Sequence, residues 1–155
     1  FPRIDNLTFR CICIYIDEMK NEACLAHSIR RADRVITQIY NDFLSPLGLK
    51  VTQFSIMRAL HLSGSTTAKE IQRMLIIEQA TVSRALKPLI RDGYVAISEG
   101  VDKREKVLSL TKSGQTLYNQ ALEPWDEAQA LMRKKLGDME NTLLNLSETI
   151  VAIKR

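Results

Sequence analysis

The residues whose types and spacing could do chemistry lie between Thr67 and Gly114. Thr81, Ser83, Arg84, Lys87 and Arg91, with Gln79 just ahead and Lys69 one segment earlier, set hydroxyl, amide and cationic groups at short, near-regular intervals. Asp102, Lys103, Arg104 and Lys106 then crowd into a short polar stretch. These groups suit charge-assisted hydrogen bonding to an anionic polymer. A guanidinium can give two parallel donors to guanine, ammonium groups suit backbone phosphate, and small hydroxyls can approach either. With Asp102 two residues before it, Arg104 can be held in one orientation, which lowers the entropy lost on entering a minor groove. The plainer alternatives are the solvated face of an amphipathic helix and a solvated hairpin tip. Catalysis has no comparable support: the chain holds only two histidines and no P-loop, HExxH, GxSxG or GxGxxG pattern.

Positioning such groups requires rigid elements, and the spacing supplies them. Thr67-Ala68-Lys69-Glu70 fits a capping box, so a helix starts there with Ala68, Ile71 and Leu75 inward. Ile76-Ile77-Glu78 is the turn. From Glu78 a second helix turns Val82, Ala85, Leu86 and Leu89 to the core and leaves Ala80, Arg84, Lys87 and Arg91 outside, with Thr81 and Ser83 beside them. Pro88 predicts a kink in that helix, since it has no donor for the carbonyl of Arg84. Gly93 ends it, and the β-prone runs Tyr94–Ile97 and Val107–Leu110 are joined by the polar loop Ser98–Lys106. Helix, turn, helix and charged hairpin together read as a winged helix-turn-helix.

The flanking segments read as helices that need a partner. Leu25, Ile29, Ala32, Ile36, Ile39 and Phe43 form one apolar stripe within about 21–44, broken by Ser45-Pro46-Leu47-Gly48. Thr52 is the expected cap of the next helix, with Val51 and Ile56 as its staple, Phe54, Met57 and Leu60 as its core stripe, and Ser63-Gly64-Ser65 as the loop beyond. Leu117, Ala121, Trp125, Ala128, Met132 and Leu136 mark a helix over 115–136, with a kink expected at Pro124. Gly137 closes it, Asp138 can cap a last helix, and Leu143, Leu146, Ile150 and Ile153 continue the rhythm. A small winged helix cannot cover three such stripes, so a two-fold homodimer burying them together is expected.

The turn, Thr81-Val82-Ser83-Arg84, Leu89, Gly93, the Asp102-x-Arg104 loop and Leu110-Thr111-x-x-Gly114, with Leu47-Gly48-Leu49 and Thr52-Gln53-Phe54 upstream, resemble the MarR family of bacterial and archaeal transcriptional regulators. Where that family often has Gly and Asp in the turn, this chain has Ile76 and Glu78. The resemblance implies a mainly α fold with a small β-hairpin wing. It implies one domain over 19–155, with the winged helix-turn-helix at about 52–114 and dimerisation helices at about 21–44 and 115–154. It also implies an obligate dimer on a pseudo-palindromic operator of double-stranded DNA, usually a repressor released by a small ligand or by thiol oxidation. Carried onto this chain, Thr81, Ser83 and Arg84 would face the major groove and Arg104, supported by Asp102, the minor groove. Peroxide-sensing members carry a reactive cysteine near the start of the first long helix, where Cys24 stands. Tyr40, Met57, His61 and Trp125 are candidate lining for a small aromatic ligand, against the ordinary alternative that aromatic and Met residues at helical spacing are core. A further alternative is a winged helix that binds protein and no DNA.

Composition sets wide bounds. With 155 residues, 45% hydrophobic and 26% charged, the chain can bury a core and belongs to neither the disordered nor the collagen-like class. A net charge of +4 permits a polyanionic partner without demanding one. No apolar run approaches the roughly 18–20 residues of a bilayer span, and three cysteines form no disulfide framework, so a cytoplasmic protein without membrane partners is expected. Cys11, Cys13, Cys24 and His27 match no zinc-finger spacing, and neither metal nor cofactor is assigned. Residues 1–18, with the β-prone run Thr8–Ile16, differ in character from the rest. They read either as an extension ahead of a start at Met19 or as an arm on a partner subunit.

Overall fold

A computed structural model describes residues 24–100 and 105–153, and Cys11, Cys13, Asp102, Lys103 and Arg104 lie outside the described residues. The chain divides after Gln38 into two units. The first contributes most of α1 (Leu25–Leu44), where Leu25 at 77% and Ile29 at 46% exposure leave the start of the expected apolar stripe uncovered, while Ile36 is half-buried.

The second unit runs on from Ile39 through the end of α1, a 3-10 turn (Ser45–Leu47), α2 (Val51–Ser63), β1 (Ser65–Thr67), α3 (Ala68–Leu75), α4 (Gln79–Arg91), β2 (Val95–Glu99), β3 (Lys106–Leu110), α5 (Lys112–Leu136) and α6 (Met139–Ile153). The mainly α architecture with a small antiparallel sheet is the one expected from the sequence. Its core gathers Phe54, Met57 and Leu60 against Ile71, Val82, Leu86, Leu89 and Ala121, from the stripes that the three-and-four spacing marks, and adds Leu44, Ile56 and Leu108. Phe54 stacks on Tyr118 at 5.6 Å and on Trp125 at 5.8 Å between centroids, tying α2 to α5.

Several local expectations are corrected. Ser65, read as loop, begins a third strand: β3 lies between β1 and β2, with Thr66 opposite Leu108 and Ile97 opposite Leu108 on the other edge. Lys106, read as loop, is in β3 opposite Glu99, an opposite-charge cross-strand pair. The cap of α2 is Lys50, not Thr52: the Lys50 amide donates to Gln53 Oε1 at 2.8 Å and the Val51 amide to Asn41 Oδ1 at 2.8 Å. Two side-chain oxygens from other positions satisfy the orphan amides, so the nearby threonine is not needed.

The Thr67 half of the capping box forms, its hydroxyl accepting from the Glu70 amide at 3.2 Å. The other half does not, because Glu70 takes the Arg73 guanidinium at 2.9 Å. The helix expected from Gln115 starts three residues earlier, at Lys112, with Thr111 as its cap.

Candidate nucleic-acid interface

In α3, the turn and α4 the backbone follows the two-helix reading. Ile76 ends α3 with φ 53, a left-handed conformation that suits Gly and costs a β-branched residue roughly 1–2 kcal/mol. Glu78 then caps α4 in an extended conformation with no side-chain cap bond, and its carbonyl accepts from the amides of Thr81 and Val82. A poor capping residue thus marks the start of the helix, held there by backbone geometry. The helix runs through Pro88 to Arg91.

α4 buries Val82, Leu86 and Leu89. Its outer surface carries the groups picked from the sequence: Gln79, Ala80, Ser83, Arg84, Lys87 and Arg91 are exposed, and Thr81 is half-buried. Lys69, on α3, is exposed as well. Arg84 is folded back along its own helix, donating from Nε to the Ala80 carbonyl at 3.1 Å and from Nη2 to Thr81 Oγ1 at 3.5 Å. Arg91 is held in a fork by Asp92 at 2.7 and 2.9 Å. That hydrogen bond holds the Asp92 carboxyl below its ordinary value and raises Arg91, so the pair stays charged at neutral pH.

The sheet presents the hairpin beside α4. Gly100 donates to the Glu105 carbonyl at 2.9 Å just beyond the paired ends of β2 and β3. Sequence reasoning missed the clasp that anchors this hairpin. Thr111 Oγ1 donates to the Gly93 carbonyl at 2.7 Å, Ser113 Oγ donates to the same carbonyl at 3.0 Å, and the Thr111 amide donates to the Tyr94 carbonyl at 3.1 Å. Thr111 Oγ1 also accepts from the Gly114 amide at 3.0 Å. At Gly114 an added Cβ would overlap the Tyr94 carbonyl oxygen, so the Thr111-x-x-Gly114 pattern is both a helix cap and a close backbone crossing. A Thr three residues before a Gly at the end of a β-prone run was the available signal.

The four candidate pocket residues lie in different settings among the described residues. Met57 is fully buried in the core. His61 bonds Gln115 Oε1 through Nδ1 at 2.9 Å and stacks on Tyr118 at 4.6 Å, on the α2–α5 contact. Tyr40 donates to Gln129 Oε1 at 2.6 Å, and partial burial raises its hydroxyl pKa against the opposing pull of Arg133. Trp125 lines a cleft of ≈ 310 Å³, together with Phe54, Arg58, Leu62 and Met74; the Arg58 guanidinium lies 4.8 Å from the centre of its ring. Cys24 is exposed just ahead of α1.

Two helices joined by a tight turn, a cationic outer helix and a three-stranded sheet with a projecting hairpin define a winged helix-turn-helix protein. The chain belongs to the MarR family: the family profile matches residues 47–105. It is similar to the HTH-type transcriptional regulator YwoH of Bacillus subtilis, 38% identical over 96 residues that cover 62% of this chain and 70% of that one. Multiple antibiotic resistance protein MarR of Escherichia coli is 25% identical over 130 residues, covering 82% and 90% of the two chains. Among solved structures, the Mycobacterium tuberculosis transcriptional regulator MosR in complex with DNA matches with a TM-score of 0.72 and 30% identity, covering 85% of this chain and 99% of that one. Among the described residues no helix is long and apolar enough to cross a membrane.

Proposed function

We propose that two copies of this chain bind a pseudo-palindromic site on double-stranded DNA and repress transcription there. The observation that carries this reading is α4, which buries one stripe and leaves a second, with Ser83, Lys87 and Arg91, exposed beside the hairpin. A helix of that shape fits a major groove, and two must stand about one DNA turn apart to enter successive grooves. The second copy is favoured by the apolar side chains that a lone chain exposes: Leu146 at 50%, Leu144 at 56% and Ile153 at 81% on α6, with Leu25 and Ile29 on α1. MosR, solved on DNA, supports the DNA partner.

The cleft beside Trp125 is the place for an effector. Apolar walls and one cation over an aromatic ring suit a small aromatic acid, which would shift the spacing of the two α4 helices by binding one dimer geometry better. A redox trigger at the exposed Cys24 is the second reading, favoured by its accessibility at the start of α1.

The test is a fluorescence-anisotropy titration of the protein with the duplex adjoining its own gene, repeated with peroxide and with aromatic acids. Binding at two subunits per duplex is expected. Release by an aromatic acid supports the cleft, and release by peroxide that Cys24→Ser prevents supports the thiol. Failure to bind any duplex leaves the protein-association alternative.

A further inference from the structure

We infer that the cleft between the start of α2 and the flank of α4 seats one backbone phosphate, gripped by Lys50 and Arg84, so that Arg84 positions the protein on the duplex and does not read a base. This rests on the DNA-binding reading and assigns a part within it. The cleft, ≈ 290 Å³, is lined by Lys50, Thr52 and Gln53 from α2 and its cap, and by Thr81, Arg84 and Pro88 from α4. At about 30 Å³ per liquid water, that is room for roughly ten waters, enough for a phosphate and its sugar edges.

Its lining is cationic and hydroxylic. Two elements far apart in sequence each bring one cation and one threonine, and no carboxylate is among the lining residues. At the start of α2 the amides of Lys50 and Val51 are taken by Gln53 Oε1 and Asn41 Oδ1, so the positive charge of the site comes from the side chains of Lys50 and Arg84. With Gln53 Oε1 committed to the Lys50 amide, the Gln53 NH2 remains to donate.

Arg84 sits on the cleft side of its helix. Thr81, Arg84, Ala85 and Pro88 follow at steps of three, one and three, a single flank. Ala80, Ser83, Lys87 and Arg91 form the neighbouring, exposed stripe. The Arg84 bonds to the Ala80 carbonyl and Thr81 Oγ1 draw its guanidinium along that flank, leaving Nη1 with both donors. Reaching a guanine edge would break both bonds, whereas a phosphate beside the flank is met from where the group already lies. With the second helix of such a pair in the groove and the first across the strand backbone, a phosphate is within reach of the flank of α4 that carries Arg84.

The experiment measures affinity over a salt series for the full chain, Lys50→Gln, Arg84→Gln and the double variant. The probes are the natural duplex and a set of single-base substitutions in it. Both side chains are exposed, and circular dichroism checks that each variant folds. The double variant is expected to flatten the slope of log K against log salt by about 0.9, making the loss between 50 and 200 mM salt about three- to fourfold smaller, and each single change to flatten it by up to that amount. The ranking of the substituted duplexes is expected to stay as in the unaltered protein, and the double variant to lose less than the two singles combined, since both cations serve one phosphate.

Two outcomes overturn the inference while leaving DNA binding intact. One is Arg84→Gln abolishing discrimination at a single guanine, which makes it a base reader. The other is unchanged affinity and slope in both single variants. If the unaltered protein binds no duplex with a salt-dependent affinity, the DNA-binding reading itself fails.

Discussion

Gly114→Ala separates what helix propensity expects from what the packing of this fold requires. Gly114 is buried in the first turn of α5, and replacing a helical Gly by Ala ordinarily stabilises by about 1 kcal/mol. Here the new Cβ would overlap the Tyr94 carbonyl oxygen and come within 2.9 Å of the Tyr94 carbonyl carbon and 3.3 Å of its Cα. Favourable carbon contacts lie at roughly 3.5–4.0 Å, so the backbone must part by several tenths of an ångström or more. That carbonyl is also the acceptor for the Thr111 amide, and the neighbouring Gly93 carbonyl takes Thr111 Oγ1 and Ser113 Oγ. Separation therefore strains the clasp as well as the crossing. Overpacking of this kind costs about 1–3 kcal/mol or more, and added strain in a hydrogen-bonded clasp puts the net near 2–3 kcal/mol destabilising, against the propensity gain. For a chain of this length the melting temperature would fall by roughly 4–12 °C. Urea unfolding and thermal melts at one fixed protein concentration, which removes the effect of mass action on a dimer, read the change. A variant as stable as the original, or more so, refutes the reasoning.

Two further changes act on the recognition unit. Ile76→Gly removes a left-handed, 59% exposed β-branched residue, and a net stabilisation of about 0.5–1 kcal/mol in urea unfolding is expected; a loss of more than about 1 kcal/mol would show that the side chain matters more than the backbone. Asp92→Asn frees Arg91 and removes a negative charge beside the duplex, so DNA affinity is expected to rise and the salt slope to steepen by up to about 0.9. The Asp92 carboxyl is held below its ordinary value, so the ion pair is complete above the usual carboxylate range and is lost only as pH falls through the lowered value. The ratio of variant to wild-type affinity should thus stay constant between about pH 6 and 8, and a ratio that changes there would assign the effect to another group.

The elements whose side chains alternate between core and solvent were legible in the sequence. The stripes of Val82, Leu86 and Leu89 and of Phe54, Met57 and Leu60 place α4 and α2 because burial enforces helical periodicity. What could not be read depends on partners distant in the chain. β1 is three residues of Ser and Thr, strand-forming only because β3 offers an edge to it. The start of α2 is set by Asn41, ten residues away from the amide it accepts. The positions of Ala80, Arg84, Lys87 and Arg91 on the outer face of α4 followed from spacing. The engagement of Arg91 by Asp92 and of Arg84 by Ala80 and Thr81 did not, because side-chain rotamers are chosen by local geometry and not by period. Met57 and His61 follow Phe54 along α2 at steps of three and four, yet Met57 is core and His61 is exposed and bound to Gln115, a difference that spacing alone does not carry.

The most direct measurement is the affinity and stoichiometry of the chain on the duplex adjoining its own gene, followed from about 50 to 200 mM salt. Two subunits per duplex are expected, with log K falling linearly and steeply as log salt rises, since several phosphates are met by Lys and Arg. One subunit per duplex, or an affinity that salt leaves flat, would contradict the pairing of two cationic helices on DNA.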